Sequence, residues 1–407
     1  MDVNQALPLL AGLSPAQFMR RYWQKKPLLV RGAIPGFSPV LSRRELFGLA
    51  AREDVESRLV VQGKSGWRMK QGPFGTRALP ALKQPGWSLL VQGVDLHVLK
   101  AHELLQQFRF VPDARLDDLM ISFATPDGGV GPHFDSYDVF LLQASGRRRW
   151  KIGRQKDFTL QSGVPLKILQ NFEPEQEFVL EAGDMLYLPP RYAHDGIAES
   201  SEPGKQAGDC MTYSIGFRAP GQQELASALL HRIADFAGDA ADEDSSTRRR
   251  SAMPLLYRDP DQAATPTPAE IPGALAGFAE KALRNTLKDP LALACALGEY
   301  MTELKSSIRF DEPHEAWPSP GFGVCLDAKS RMMYDAHHVF LNGESYRAGG
   351  ADARLMRLLA DRRALSAAEM AKASLPAMEL LADWHDAGWI RVGLQAALTR
   401  SPKNGSA

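Results

Sequence analysis

The chain has 407 residues, and its 48 Lys+Arg balance 48 Asp+Glu to a formal net charge of zero. That length suits two or three domains with a sizeable core. The balanced charge excludes a protein held to nucleic acid or anionic lipid by bulk charge, though it leaves room for a local basic patch. Cys210, Cys295 and Cys325 are scattered and odd in number, with no C-x-x-C spacing, so neither a disulfide framework nor a zinc knuckle is expected and a reducing compartment is. Residues 1–18 lack the basic start and apolar stretch of a signal peptide, and no segment approaches a membrane span of about 18 apolar residues. A cytoplasmic protein with no membrane partner is the expectation.

Taken in order, Ser14, Pro15 and Gln17 predict a capped helix that ends near Trp23, followed by a strand over 28–31. A helix is predicted over 42–52, strands over 57–62 and 87–91, and an amphipathic helix over 94–108. His97 and His102 are five residues apart on that helix, cannot share one face, and are expected at the surface. Residues 119–125 read as a strand, and Pro126, Asp127, Gly128 and Gly129 as the turn after it. Apolar strands over 139–143 and 147–152 flank a turn at 144–146. Strands over 177–180 and 185–188 read as a hairpin about Glu181 to Asp184, and Pro189 and Pro190 end its pairing, leaving His194 in a loop. The last strand of this part is 209–217. Short strands in this number, with helices mainly at the start, predict a mixed α and β chain whose first domain, 1–220, is a double-stranded β-helix of the jelly-roll type.

The pattern changes at Ala219, Pro220 and Gly221. Helical spacing marks 224–236, 275–287 and 291–304, with polar loops over 239–250 and 259–268, so 221–308 is expected to be all helical. From 309 to 407, strands over 324–326 and 339–341, helical stretches over 351–359, 366–372 and 377–387, and a closing strand over 388–392 form a compact unit resembling a winged helix. It has no dense basic recognition helix, so docking or scaffolding is expected of it and direct nucleic-acid binding is not.

The chemistry concentrates in residues 131–152, GPHFDSYDVFLLQASGRRRWKI. In an extended segment His133 and Asp135 point to one side, because alternate residues share a face. A second imidazole would complete the two-His, one-carboxylate arrangement of non-haem Fe(II) sites, and His194 in YLPPRYAHDG is the best candidate. Arg148 shares parity with Trp150 and Ile152, so it is predicted to face inward, where a lone guanidinium is costly unless an anion meets it. Its planar fork suits a carboxylate. Other histidines fit less well: His337 and His338 are adjacent and face opposite ways in a strand, while His231, His314 and His385 have no ligand-like company.

The run GVGPHFDSYDVFLLQASGRRRWKIG, with GDMLYLPPRYAHDG and MTYSIGFRAP after it and FMRRYWQKKPLLVRGAIPGF near the start, resembles the bacterial jumonji C-type ribosomal oxygenases of the cupin superfamily. It is most similar to the branch that hydroxylates an arginine of a large-subunit (50S) ribosomal protein, the sixteenth of that series. The resemblance implies Fe(II) held by His133, Asp135 and His194, 2-oxoglutarate as cosubstrate and dioxygen as oxidant. It also implies a distal cosubstrate carboxylate on Arg148, with Ser122 assisting as a hydroxyl donor. Tyr137, on the parity of the ligands, is expected at the substrate opening, and Asp127 is a candidate partner for a substrate guanidinium. The family uses the region corresponding to 221–308 for dimerisation and carries a winged helix beyond it, so a homodimer is implied. Three rivals stay open at this stage: a histidyl hydroxylase of a ribosomal protein, a non-oxidising metal-binding cupin, and a non-enzymatic winged-helix protein with a vestigial barrel.

Overall fold

The computed structural model describes residues 2–64, 66–75, 77–200, 209–242, 256–258, 260, 269, 271–313, 317, 321–347 and 349–393. Contacts divide the chain into two units, residues 1–219 with 307–309 and residues 220–306 with 310–407.

The first unit opens with α1 (Pro15–Arg21), where Ser14 accepts from the Gln17 N–H and the Gln17 side chain accepts from the Ser14 N–H. Ser42 and Glu45 repeat this reciprocal cap at the start of α2 (Arg43–Ala50). Each cap is worth about 1 kcal/mol. Eleven strands follow in two sheets: β1 (Leu28–Val30), β2 (Ser57–Gly63), β3 (Gly66–Gln71), β4 (Trp87–Val91), β5 (Leu116–Ala124), β6 (Asp138–Ser145), β7 (Arg148–Arg154), β8 (Gln176–Leu180), β9 (Met185–Leu188), β10 (Tyr192–Ala198) and β11 (Cys210–Phe217). The large sheet runs β1-β9-β6-β11-β5-β4-β2-β3, and the small one β10-β7-β8. The two make the expected double-stranded β-helix.

Strand periodicity builds two cores at once. On β6, Phe140 and Leu142 join the large cluster that includes Phe18, Leu46 and Leu104 of the helices, while Val139 and Leu141 face the small sheet and pack with Trp150, Ile152 and Leu180. Strand β9 divides in the same way: Met185 and Tyr187 to one side, Leu186 and Leu188 to the other. These inner strands of the large sheet are therefore buried on both faces and read as nearly continuous apolar runs.

Four expectations are corrected here. The helix foreseen over 94–108 is interrupted: Gly93 is left-handed, Val94–Leu96 is a single 3-10 turn, and the extended Val98 precedes α3 (Leu99–Gln106). α3 packs on β5, which turns His102 inward to 8% exposure and removes it from the surface. Strands β8 and β9 are not a hairpin, because they belong to different sheets. Residues 181–184 carry the chain from one sheet to the other, and Asp184 ties that corner by accepting from the Gly32 N–H at 3.0 Å and the Glu181 N–H at 3.1 Å. Finally, His194 lies within β10 rather than in a loop, with the strand beginning two residues after Pro190.

The second unit holds α4 (Gln222–Asp242), α5 (Gly273–Thr286) and α6 (Pro290–Thr302). α4 continues past the point where the polar loop was expected; the remainder of that loop, most of 259–268 and His314 lie outside the described residues. Beyond these helices come β12 (Val324–Leu326), β13 (Met332–Tyr334), β14 (His338–Leu341), β15 (Glu344–Arg347), α7 (Gly350–Arg362), β16 (Ala364–Leu365), α8 (Ala367–Met370), α9 (Leu375–Asp386) and β17 (Ile390–Val392). Two three-stranded sheets, β16-β12-β17 and β13-β14-β15, close over a core of Leu359, Leu365, Leu381 and Trp384. This is the winged helix that the sequence suggested.

Candidate active site

The segment from Gly131 to Asp135 is not a regular strand. It meets β10 through one antiparallel bridge, in which the His133 N–H donates to the His194 carbonyl at 2.9 Å and the His194 N–H returns to the His133 carbonyl at 2.8 Å. Residues directly opposite across such a bridge share a face. The two imidazoles consequently lie together, with ring centroids 4.2 Å apart. Asp135 is fixed by its carbonyl, which accepts from the Arg191 N–H at 2.7 Å. Gly131 makes the tight approach possible: its φ is +79°, and a Cβ there would lie 3.1 Å from both Trp67 and Ile168.

Each imidazole is oriented by backbone. His133 Nδ1 is 2.8 Å from the Gly131 carbonyl, and His194 Nδ1 is 2.9 Å from the Tyr192 carbonyl. A carbonyl can only accept, so each Nδ1 carries the proton and each Nε2 presents its lone pair. Burial, reinforced by neighbouring His133 and opposed by Asp135, pulls the His194 pKa down to about 4, so the ring is neutral at physiological pH. His194 Nε2 is 3.6 Å from Asp135 Oδ2, and one ligand atom from each of His133, Asp135 and His194 falls within 4.8 Å of the others. Two imidazole nitrogens and one carboxylate oxygen on one side of a cavity fit a divalent iron with open coordination positions.

The cavity measures about 220 Å³ and lies between the sheets. Arg148 reaches it from β7, where the register sets Arg148 opposite Ala198, Trp150 opposite Gly196 and Ile152 opposite His194. Only the absence of a side chain at Gly196 admits Trp150, since a Cβ there would stand 2.5 Å from the ring. The Arg148 guanidinium lies 5.8 Å from that ring's centroid. Arg148 is 5% exposed, and its Nη1 donates to Ser122 Oγ at 3.3 Å, while Nε and Nη2 are buried with no partner among the described residues. A buried guanidinium with two unused donors is matched to a carboxylate that enters the cavity.

The wall behind it is polarised. Ser122 accepts from Arg148 and donates to the Thr212 carbonyl at 3.3 Å; Thr212 Oγ1 donates to Gln143 Oε1 at 2.8 Å. In this structure the Ser122 hydroxyl thus bridges the Arg148 guanidinium and the Thr212 carbonyl at the cavity wall. Tyr137 lines the cavity at 38% exposure, and burial together with Asp135, Asp118 and Asp117 raises its phenol pKa, keeping it a neutral donor. Asp127 is not gathered with the others. It sits at an exposed turn with φ of +62°, its N–H bonded to the Ala198 carbonyl, and it does not line the cavity.

Sequence reasoning passed over Arg58, Met69, Thr212 and Ser214, which also line the cavity. The last two were findable. In MTYSIGF the alternation puts Thr212 and Ser214 on the face opposite Met211, Tyr213 and Ile215, and a polar row inside a buried strand marks a cavity wall.

Residues 103–225 match the JmjC domain family and residues 285–391 the ROXA-like winged helix. The ribosomal protein uL16 3-hydroxylase of Escherichia coli (strain K12) is 33% identical over 299 residues, 73% of each chain. A probable ribosomal oxygenase of Haemophilus influenzae is 28% identical over 414 residues, 93% of this chain and 96% of its own. The solved structure of Escherichia coli YcfD, a ribosomal oxygenase in complex with cobalt and 2-oxoglutarate, is 30% identical with a TM-score of 0.74 over 93% of this chain and 97% of that one.

Proposed function

This chain belongs to the JmjC ribosomal oxygenases, and from that premise we propose that it hydroxylates an arginine side chain of a large-subunit ribosomal protein, with His133, Asp135 and His194 as its iron ligands. It is a 2-oxoglutarate-dependent oxygenase. Fe(II), 2-oxoglutarate and dioxygen supply the oxidation, giving succinate, carbon dioxide and one oxygen atom inserted into a C–H bond that no acid, base or nucleophilic side chain can attack.

The protein's work is binding and aim. The two Nδ1–H···O=C bonds hold His133 and His194 ready to ligate, and the partnerless Nε and Nη2 of Arg148 hold the distal carboxylate of the cosubstrate. Ser122 helps to fix Arg148 by accepting a hydrogen bond from its Nη1. Trp150, Val139 and Leu141 supply an apolar part of the cavity wall, backed by Ile152 in the same cluster. Tyr137 lines the cavity and is partly exposed, a neutral phenol whose flat ring suits stacking with a guanidinium. The arginine reading is preferred to a histidyl one because the relative with the higher identity is a uL16 3-hydroxylase matched over 73% of its length.

Among the described residues no helix is long and apolar enough to cross a membrane, and a ribosomal-protein substrate agrees with a cytoplasmic site of action. The division 1–220, 221–308 and 309–407 into catalytic, dimerising and winged-helix parts belongs to the same reading. Leu230, Leu283, Leu287 and Leu293 on the helices between catalytic and winged-helix parts are 44–66% exposed, which supports a homodimer.

The observation that carries the proposal is the convergence of three ligand atoms beside a buried guanidinium lacking an anion. The test is incubation with Fe(II), 2-oxoglutarate, air and arginine-containing large-subunit ribosomal peptides, read by fragment mass spectrometry. A gain of one oxygen localised to an arginine is expected. Oxidation confined to histidine, or succinate release with no peptide oxidised, overturns the substrate assignment.

A further inference from the structure

The zero net charge of the chain is not evenly spread. Between Glu56 and Asp95 there is no acidic residue, while Arg58, Lys64, Arg68, Lys70, Arg77 and Lys83 all fall within that stretch. These residues form the β2–β3 hairpin, the loop after it and β4, at one end of the large sheet, with β3 as its outermost strand.

Register sorts the charges by face. On β3, Trp67 and Met69 pair with Gln62 and Val60, on the side that carries Arg58 and lines the cavity. Arg68 and Lys70 pair with Val61 and Leu59, whose side chains enter the helix-side core, so both cations project to the outer face of the same strand. As alternate residues on one strand they stand roughly 7 Å apart. After the strand, Phe74 and Leu79 pack into the same core as Leu59 and Val61, while Arg68 and Lys70 stay exposed, and the chain reaches Gly86. It returns to the hairpin tip, where the Gln62 N–H donates to the Gly86 carbonyl. Lys64 is at that tip, and Lys83 is three residues before Gly86. Glu56 adjoins the other end of β2, roughly 20 Å away along the strand.

Lys64, Arg68, Lys70, Arg77 and Lys83 are all exposed, and none of them has an ion-pair partner among the described residues. Several arginines elsewhere in this unit are matched, Arg52 to Asp54, Arg109 to Asp113, Arg147 to Glu199 and Arg218 to Asp117, while others, such as Arg20, Arg21 and Arg44, are exposed without an ion pair among the described residues. Five unmatched cations on a stretch with no acidic residue form a polycationic surface suited to a polyanion.

We propose that this outer edge of the β2–β3 hairpin binds the phosphate backbone of RNA, so that a ribosomal protein is presented to the cavity together with ribosomal RNA. The choice of RNA rests on the reading of the substrate as a ribosomal protein, whose own surroundings are RNA. A membrane surface is disfavoured because Leu82 is the one large exposed apolar side chain on this edge among the described residues. Binding of this kind works by counterion release and carries no sequence preference.

The test uses the full chain and a fluorescein-labelled fragment of large-subunit ribosomal RNA, with anisotropy measured over a series of KCl concentrations. Five single-strand phosphate contacts predict a slope of log K against log salt near −3.5, about −0.7 for each. The Lys64→Gln/Arg68→Gln/Lys70→Gln variant is expected to flatten that slope by about 2 and to bind at least tenfold more weakly at low salt. It should hydroxylate a short RNA-free peptide at the wild-type rate, which also certifies its fold. Failure of the wild type to bind the fragment, equal binding by the variant, or binding to phosphatidylglycerol vesicles or polyglutamate in preference to RNA overturns the inference. Peptide hydroxylation without RNA binding sinks this inference and spares the assigned function; RNA binding lost in the variant, without any peptide hydroxylation, does the reverse.

Discussion

Replacing Arg148 by methionine tests whether the cavity is built around an absent anion. The substitution keeps an unbranched stem of similar length beneath Trp150 and removes the charge. With Nε and Nη2 buried and partnerless, an arriving carboxylate gains two charge-assisted hydrogen bonds, each worth about 1.5–3 kcal/mol. Their loss should weaken 2-oxoglutarate binding by about 3–6 kcal/mol, roughly a hundred- to ten-thousandfold. The free protein should respond in the opposite sense. An uncompensated buried charge costs energy, and exchanging it for an apolar side chain is often neutral or stabilising by about 1–4 kcal/mol. Differential scanning fluorimetry with Mn(II) in place of iron reads both effects. At cosubstrate near a hundred times its wild-type Kd, the wild type should gain about 2.7 kcal/mol and Arg148→Met well under half of that, while without cosubstrate the variant melts no lower than the wild type. A variant that keeps 2-oxoglutarate affinity within about threefold, or whose ligand-free form loses more than about 2 kcal/mol, would show that Arg148 is satisfied by the fold and is not a cosubstrate anchor.

Asp135→Ala removes the single carboxylate of the triad; Mn(II) binding followed by electron paramagnetic resonance should be lost, with the melting temperature of the metal-free protein changed by less than a few degrees. His194 is held neutral by burial with its pKa at about 4, below the ordinary imidazole value of 6.5. The unfolded chain therefore binds a proton that the folded one refuses as pH falls through that window. Metal-free stability should drop by on the order of 3 kcal/mol between pH 6.5 and 4, and denaturant titrations of His194→Leu should lack that component of the slope. Gly196→Ala would set a methyl group 2.5 Å from Trp150, so urea unfolding should show a loss of about 1–3 kcal/mol and calorimetry a weaker 2-oxoglutarate complex through the displaced Arg148. Leu283→Lys with Leu287→Lys places charge on the exposed apolar helix α5; sedimentation equilibrium should show a shift from dimer to monomer, and a wild-type monomer would refute the dimer.

The fold was legible where local rules act alone. Ser14 and Ser42 capped helices as their i+3 glutamine and glutamate required, and β4 occupies the residues its apolar run predicted. Reading stopped where a decision depends on distant chain. Glu181 to Asp184 carries the composition of a hairpin turn, but hydrogen bonds that Asp184 accepts from residues just after β1 make it a corner between sheets. β3 reads WRMKQ, too charged for a core strand, because it is the edge of its sheet and only alternate side chains meet protein. His102 sits in a helix with a mixed pattern, and only packing against β5 decides which side is inside.

The site was legible for a different reason, since its chemistry demands residue types that a core does not otherwise contain. An inward arginine on the parity of Trp150 and Ile152 has no structural excuse, so parity alone predicted its burial, and the structure leaves its Nε and Nη2 without a partner among the described residues. The two histidines were chosen by type, but what unites them is a single pair of backbone hydrogen bonds between an irregular segment and a strand. That bridge sets both imidazoles on one face without needing His133 and Asp135 to lie in a regular strand, so the simple alternation argument reached residues that do converge, through the wrong local geometry. Because the bridge uses main-chain groups only, substituting either ligand side chain should leave the fold standing while emptying the site, and the stability of the metal-free Asp135→Ala protein is the measurement in which that separation of scaffold from chemistry becomes visible.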